Sequence, residues 1–155
     1  MKSKSKFVLD CDFNCRNNKI SIKKDCYFDS SVIRIRGINN EIIFEEGVKV
    51  GKGCSFWMEG NNLKIKVVVV GLLSQLNAQE ENVSIILGKD CMLSNHIIIR
   101  TSDFHSIYNA ETRQRLNSTK SIMIGEHVWI APDTKIMKGA NIGNGCIVGS
   151  NNYGE

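Results

Sequence analysis

The chain has 155 residues, 42% hydrophobic and 23% charged, with one proline, thirteen glycines and six cysteines, a size that predicts a single domain over 1–155. One proline excludes proline-rich linkers and collagen-like repeats, and no apolar run, Val67–Val70 included, approaches the roughly 20 residues of a membrane span. The net charge of +4 comes from scattered lysines without the interleaved aromatics of a nucleic-acid face, so no nucleic-acid partner is expected.

At the start, Met1–Cys11 is basic and carries only Phe7, Val8 and Leu9 before Asp10, too short a run for the core of a secretory signal. No cysteines stand two residues apart, and no histidine is near the closest pair, Cys11 and Cys15. Reduced thiols in a cytoplasmic protein are the expectation, with no metal. Residues 1–19 read as an N-terminal edge segment.

A six-residue beat then takes over. Ile22 and Phe28 lead hexads, with Cys26 and Val32 at a small position four residues behind each leader. Phe44, Val50 and Phe56 lead the next set, with Val48 and Cys54 behind. Residues 67–82 break the beat, first apolar and then polar (Ser74, Gln75, Asn77, Gln79, Glu80, Glu81), and read as an insertion, either a short helix or a wide loop. Leu87, Leu93 and Ile99 resume the beat with Cys91 and Ile97. A second break, 100–120, is polar and rather basic. From Ile124 the leaders are Ile130, Ile136, Ile142 and Val148, with Val128, Thr134, Ala140 and Cys146 behind. Beyond Val148 the beat fails, because Asn152 falls on the small position and Gly154 on the leading one.

A helix repeats at 3.6 residues and a flat strand at 2. A short strand and a corner every six residues make a triangular coil of about 18, stacked at the roughly 4.8 Å spacing of paired strands. The leading residue points inward and stacks on its counterparts; the small residue fills the corner. Four of the six cysteines share that small slot, which explains them better than redox chemistry does. The predicted fold is all-β, a parallel β-helix of hexapeptide repeats, a type that winds left-handed, with a loop extruded at about 100–120.

Irregular loops longer than about 12–15 residues are uncommon and usually functional. The loop here opens Thr101-Ser102-Asp103-Phe104-His105-Ser106-Ile107-Tyr108-Asn109. An imidazole changes charge near neutrality and suits proton abstraction from a hydroxyl. Asp103, two residues before His105, is placed to orient the ring or stabilise imidazolium. Phe104 and Tyr108 either pack the loop onto the coil or stack on a ligand's ring, and Arg100 and Arg113 are candidates to meet an anionic ligand.

This loop, followed by His127-Val128-Trp129-Ile130-Ala131 and by Ile136-Met137-Lys138-Gly139-Ala140, resembles the hexapeptide-repeat O-acetyltransferases. The likeness is greatest to those acting on bacterial capsule and lipopolysaccharide sugars, such as the polysialic acid O-acetyltransferases. It covers about 84–150 well, and 20–66 through the repeat alone. What the resemblance implies is acetyl transfer from acetyl-CoA to a hydroxyl of a sugar or polysaccharide. It also implies a homotrimer with each site in a groove between two coils, His105 as general base and Trp129 lining the groove. Lys120 and Lys138 become candidates for the CoA phosphates. Ala131 and Pro132 stand where the family usually has glycine and a non-proline residue. Pro132 has no N–H, so an oxyanion donor is sought at Ala131 or on a side chain. Two alternatives stand beside this reading: a non-catalytic trimeric β-helix, motivated by the failing C-terminal beat, and a zinc hydratase like the γ-class carbonic anhydrases, motivated by His96, His105 and His127.

Overall fold

The computed structural model describes residues 5–68, 70–151 and 153–154. Its regular structure is all strand, arranged as three parallel sheets around one apolar interior, the left-handed parallel β-helix that the beat predicts. The first face stacks β1 (Phe7–Cys11), β4 (Ser31–Arg36), β7 (Ser55–Asn61), β9 (Gln75–Glu81), β12 (Ile98–Arg100), β15 (Lys135–Ile136) and β18 (Tyr153–Gly154). The second stacks β2 (Lys19–Ile22), β5 (Glu41–Phe44), β8 (Lys64–Val67), β10 (Ser84–Leu87), β13 (Ile122–Ile124) and β16 (Asn141–Ile142). The third holds β3 (Tyr27–Phe28), β6 (Lys49–Val50), β11 (Met92–Leu93), β14 (Trp129–Ile130) and β17 (Ile147–Val148), made continuous by bridges from Val70 to Val50 and Leu93. No helix of the described residues is long and apolar enough to cross a membrane.

The leading residues form the core. Phe44, Phe56, Leu87, Ile99, Ile130 and Ile136 are fully buried, and Phe28, Val50 and Leu93 nearly so. Phe28, Phe44 and Phe56 come from three different faces and meet edge to face, with centroids 4.9 and 5.1 Å apart, the geometry aromatic quadrupoles favour. Cys54 and Cys91 fill the small slot and are buried, Cys26 is half-buried, and Cys146, at the open end of the stack, is exposed. Ile22 lies at the other end and stays 43% exposed.

Residues 67–82 are not an insertion. Val70 bridges neighbouring coils, and β9 pairs in register with β7 and β12. The beat is hidden there because the coil is not 18 residues long. Val32 pairs with Ser55, 23 residues on, and Ser55 with Gln75, 20 on; the 18-residue step appears in the last coil, where Met123 pairs with Asn141, Trp129 with Ile147 and Lys135 with Tyr153. Strands β4, β7 and β9 each turn two leading side chains inward: Ile33 and Ile35, Phe56 and Met58, Leu76 and Ala78. The longer first face then needs an extra kink, supplied at Gly37 (φ 98°), Gly60 (φ 143°) and Glu80 (φ 73°). At Gly60 the stack is so tight that a Cβ would lie 1.5 Å from the Glu80 carbonyl oxygen. The corner between β3 and β4 is one residue shorter than the one between β6 and β7, which puts Ser31, not Val32, in the small slot. At the C-terminus Gly154 pairs with Ile136, so the stack continues past Val148; Asn152 lies outside the described residues.

The corner after the first face is a ladder of asparagines. Asn17, Asn39, Asn62 and Asn82 all take left-handed φ of 53–58°, which asparagine tolerates better than other side chains. Their amides link successive coils at 3.4, 3.3 and 3.0 Å.

Candidate active site

The coil opens between Arg100 and Ile122, where no strand forms. The mouth of this excursion is pinned at Thr101, whose carbonyl oxygen accepts from the Lys120 N–H (3.2 Å) and the Thr119 hydroxyl (2.5 Å). The segment folds back on itself as an irregular hairpin. Tyr108 and Arg115 form an antiparallel bridge, the Leu116 N–H donates to the Ile107 carbonyl (2.8 Å), and the Asn109 side chain caps the turn by accepting from the Glu111 and Thr112 amides (2.9 and 2.8 Å).

Two ionic anchors hold the hairpin to the coil. Arg115 makes a bidentate pair with Glu80 (2.6 and 2.7 Å), which also accepts from the Ser102 hydroxyl (2.7 Å). Lys138 donates to the Asp103 carboxylate and to the Asn117 carbonyl (3.1 Å). Asn117 is the hub between them: its amide donates to Asp103 (3.0 Å) and to the His105 carbonyl (2.6 Å), and its oxygen accepts from the Ile107 N–H (2.6 Å). The Lys138 bond, and after it the Asn117 bond, hold the Asp103 carboxyl below the usual carboxylate range. Arg115 does the same to Glu80.

Between hairpin and first face lies a cleft of about 710 Å³. Glu59, Gln79 and Arg100 form its coil side, and Phe104 and His105 its hairpin side. Phe104 sits at φ 67°, a costly conformation for a bulky residue and one that collects at functional sites. It turns the chain just before His105, its N–H donating to the Ser102 hydroxyl (3.1 Å). His105 is exposed at the cleft.

The structure brings His105, Asp103, Phe104 and Arg100 to this one place, but not in every role the sequence suggested. Asp103 does not hold the His105 ring: its carboxylate is taken by Lys138 and Asn117, and it acts on the hairpin backbone instead. Lys138 is therefore an anchor rather than a phosphate ligand, with its side chain only 19% exposed. Lys120 closes the hairpin mouth through its backbone. Tyr108 is 56% exposed on the outer hairpin, and Arg113 is in the turn, where its N–H donates to the Asn109 carbonyl (3.0 Å). The Ala131 N–H donates to the Val148 carbonyl at 2.9 Å, so the ladder of the last coils consumes it and it is no oxyanion donor in this chain. Sequence reasoning missed Glu80, Arg115 and Asn117; nothing in their spacing marks them, since they meet only through the fold.

Trp129 is on another face. It projects from β14 on the third face, 44% exposed, its indole N–H donating to the Ser94 hydroxyl (3.1 Å). Met92 and Ile147 flank it in register, 60% and 69% exposed. The three histidines are likewise dispersed. His96 meets Asp133 (3.2 Å) and His127 faces Asp90 (3.7 Å), both at corners, while His105 is at the cleft. Among the described residues no group of three or more His, Cys, Asp or Glu side chains is close enough to hold a metal ion.

Residues 121–153 match the family model described as bacterial transferase hexapeptide (six repeats). Over that segment the chain is similar to the hexapeptide-repeat transferases. It is 35% identical to the polysialic acid O-acetyltransferase of Neisseria meningitidis over 124 residues, which is 79% of this chain and 57% of that protein. It is 34% identical to the polysialic acid O-acetyltransferase of Escherichia coli O1:K1 / APEC over 76 residues, 46% of this chain and 25% of that one. The chain thus spans about half the length, or less, of these curated relatives. Among solved structures, the polySia-specific acetyltransferase NeuO has the same fold at TM-score 0.63 and 22% identity, covering 96% of this chain and 77% of its own. The polysialic acid O-acetyltransferase OatWY follows at TM-score 0.55 and 23% identity, covering 96% and 78%.

Proposed function

We propose that this hexapeptide-repeat protein is an O-acetyltransferase that moves an acetyl group from acetyl-CoA to a hydroxyl of a sugar or surface polysaccharide. The observation that carries the reading is His105, presented at an open cleft by an anchored hairpin. The names of the 35% and 34% identical relatives support the reaction class and point to an acidic polysaccharide as acceptor. The acceptor hydroxyl gives its proton to the His105 imidazole as its oxygen attacks the thioester carbonyl. The carbon–sulfur bond then breaks, and the proton passes to the departing CoA sulfur. The thioester is already activated, so no cysteine nucleophile is needed.

A homotrimer belongs to the same proposal. Within one chain the His105 cleft and Trp129 occupy different faces, so both can line one groove only if a sister chain supplies one of them. The apolar stripe of Met92, Trp129 and Ile147 suits such a contact.

The test mixes the protein, acetyl-CoA and sialic acid oligomers and follows release of free thiol, with oligomeric state read by light scattering. His105→Ala should lower the rate at least about 100-fold, the usual contribution of a general base. Equal thiol release by wild type and His105→Ala would remove the catalytic claim, and a monomer would remove the shared groove.

A further inference from the structure

The coil side of the cleft holds polar groups left without partners. Arg100 stands over Asn77 in the adjacent strand, and Asn77 over Trp57. The Arg100 Nε is buried and unpartnered, and its guanidinium carbon lies 5.2 Å from the Phe104 ring centroid. The nearby carboxylates are taken: Glu80 pairs with Arg115, and Asp103 with Lys138. Among the described residues no carboxylate makes an ion pair with Arg100. Asn77 and Gln79 are 4% and 5% exposed, and the Asn77 Oδ1 and Gln79 Oε1 accept no hydrogen bond. Buried polar atoms in native proteins nearly always have a partner; Asn77 does not line the cleft, but Arg100 and Gln79, in adjoining strands, do, and their orphan atoms point to a group that arrives from outside.

The orphan set specifies that group. The Gln79 amide oxygen wants a hydroxyl or N–H donor, and the Arg100 guanidinium wants an anionic acceptor, best a carboxylate. Glu59, whose carboxylate accepts from the Gln79 amide (3.2 Å), is two strands and two residues from Arg100, roughly 12 Å by strand geometry. It is too far to neutralise Arg100, yet it lies on the same cleft to receive further hydroxyls. We propose that Arg100 and Gln79 form a receptor for the carboxylate and adjoining hydroxyls of an acidic sugar. It holds the acceptor so that another of its hydroxyls meets His105. This rests on the transferase reading and deepens it by making Arg100 the residue that selects acidic over neutral acceptors.

The test is calorimetric binding of a sialic acid oligomer and of the same oligomer with its carboxyls reduced to alcohols. Wild type should bind the acid form at least about tenfold more tightly, the worth of one charge-assisted contact. Arg100→Gln should erase that preference, and Arg100→Lys, which keeps the charge but not the planar fork, should retain part of it. Circular dichroism checks that the variants fold, and the lysine variant carries the test if the glutamine variant does not. Equal binding of the two oligomers by wild type, no binding of either, or a preference that survives in Arg100→Gln each overturns the receptor. Thiol release separates this from the transferase reading. Arg100-dependent binding without acetyl transfer sinks the transferase and leaves the receptor. Acetyl transfer whose KM for the acidic oligomer is unchanged in Arg100→Gln sinks the receptor and leaves the transferase.

Discussion

Asp103→Ala tests what holds the candidate base in place. The substitution removes two hydrogen bonds, from Lys138 and Asn117, and leaves the Lys138 ammonium, 19% exposed, with only the Asn117 carbonyl. A hydrogen bond to a charged group contributes about 1.5–3 kcal/mol. Asp103 is 33% exposed, so solvent screening brings the net to about 1.5 kcal/mol. That raises the released fraction of the hairpin about tenfold. Hydrogen exchange read at the Ile107 and Leu116 amides, which bond to Asn117 and Ile107 within the hairpin, should therefore accelerate about tenfold. Exchange at Ile99 and Ile136, in the paired strands β12 and β15, should not change. Thiol release should fall with the hairpin, and Lys138→Met should reproduce the exchange pattern. Unchanged hairpin exchange, or equal acceleration in the coil, would show that the anchor does not position His105.

Gly60→Ala places a methyl 1.5 Å from the Glu80 carbonyl at φ 143° and should cost at least about 2 kcal/mol in urea unfolding, whereas Gly149→Ala, which meets nothing within 4 Å, should stay within about 0.5 kcal/mol. Acid should release the hairpin before the coil. Asp103 and Glu80 are held below their ordinary values by Lys138 and Arg115, so their stabilisation is complete above the unfolded carboxylate range near 4 and is lost as pH falls through the lower folded values. NMR titration of the two carboxyls and of the Ile107 amide should show one shared transition below about pH 4; hairpin release at pH 5–6 would contradict this.

The coil was legible because its physics is periodic. An inward slot every six residues admits few residue types, so Ile124 through Val148 announce it, and even the cysteines fall into place. Legibility failed where the period changed. Gln75, Asn77 and Gln79 face outward on a lengthened strand, and their polarity masked the inward Leu76 and Ala78. His105 was visible because a histidine in a long loop is conspicuous. Its surroundings were not, because Glu80, Asn117 and Lys138 converge on it through backbone excursions and ion pairs that leave no spacing in the sequence. Asp103 misled for the same reason: nearness in sequence to His105 suggested a ring partner, while the fold offered the half-buried Lys138 ammonium.

The energetics of the hairpin and the proposed assembly bear on each other. Its apolar side chains are not what attach it to the coil: Phe104, Ile107, Tyr108 and Leu116 are 45%, 55%, 56% and 62% exposed. It is held by the Glu80–Arg115 and Asp103–Lys138 pairs and by the Asn117 hub. Directional bonds fix the segment's position without using its apolar surface, which stays free to be buried elsewhere. Leaving four large side chains exposed on one hairpin costs little if a sister chain covers them, and apolar burial recovers about 25 cal/mol per Å². The same contact would dry the cleft and strengthen every charge interaction around His105. A chain held monomeric by charged substitutions at Ile107 and Leu116 should therefore keep its coil and its anchors, yet lose acetyl transfer. If it stayed fully active as a monomer, one chain would suffice for the chemistry and the exposed hairpin would need another explanation.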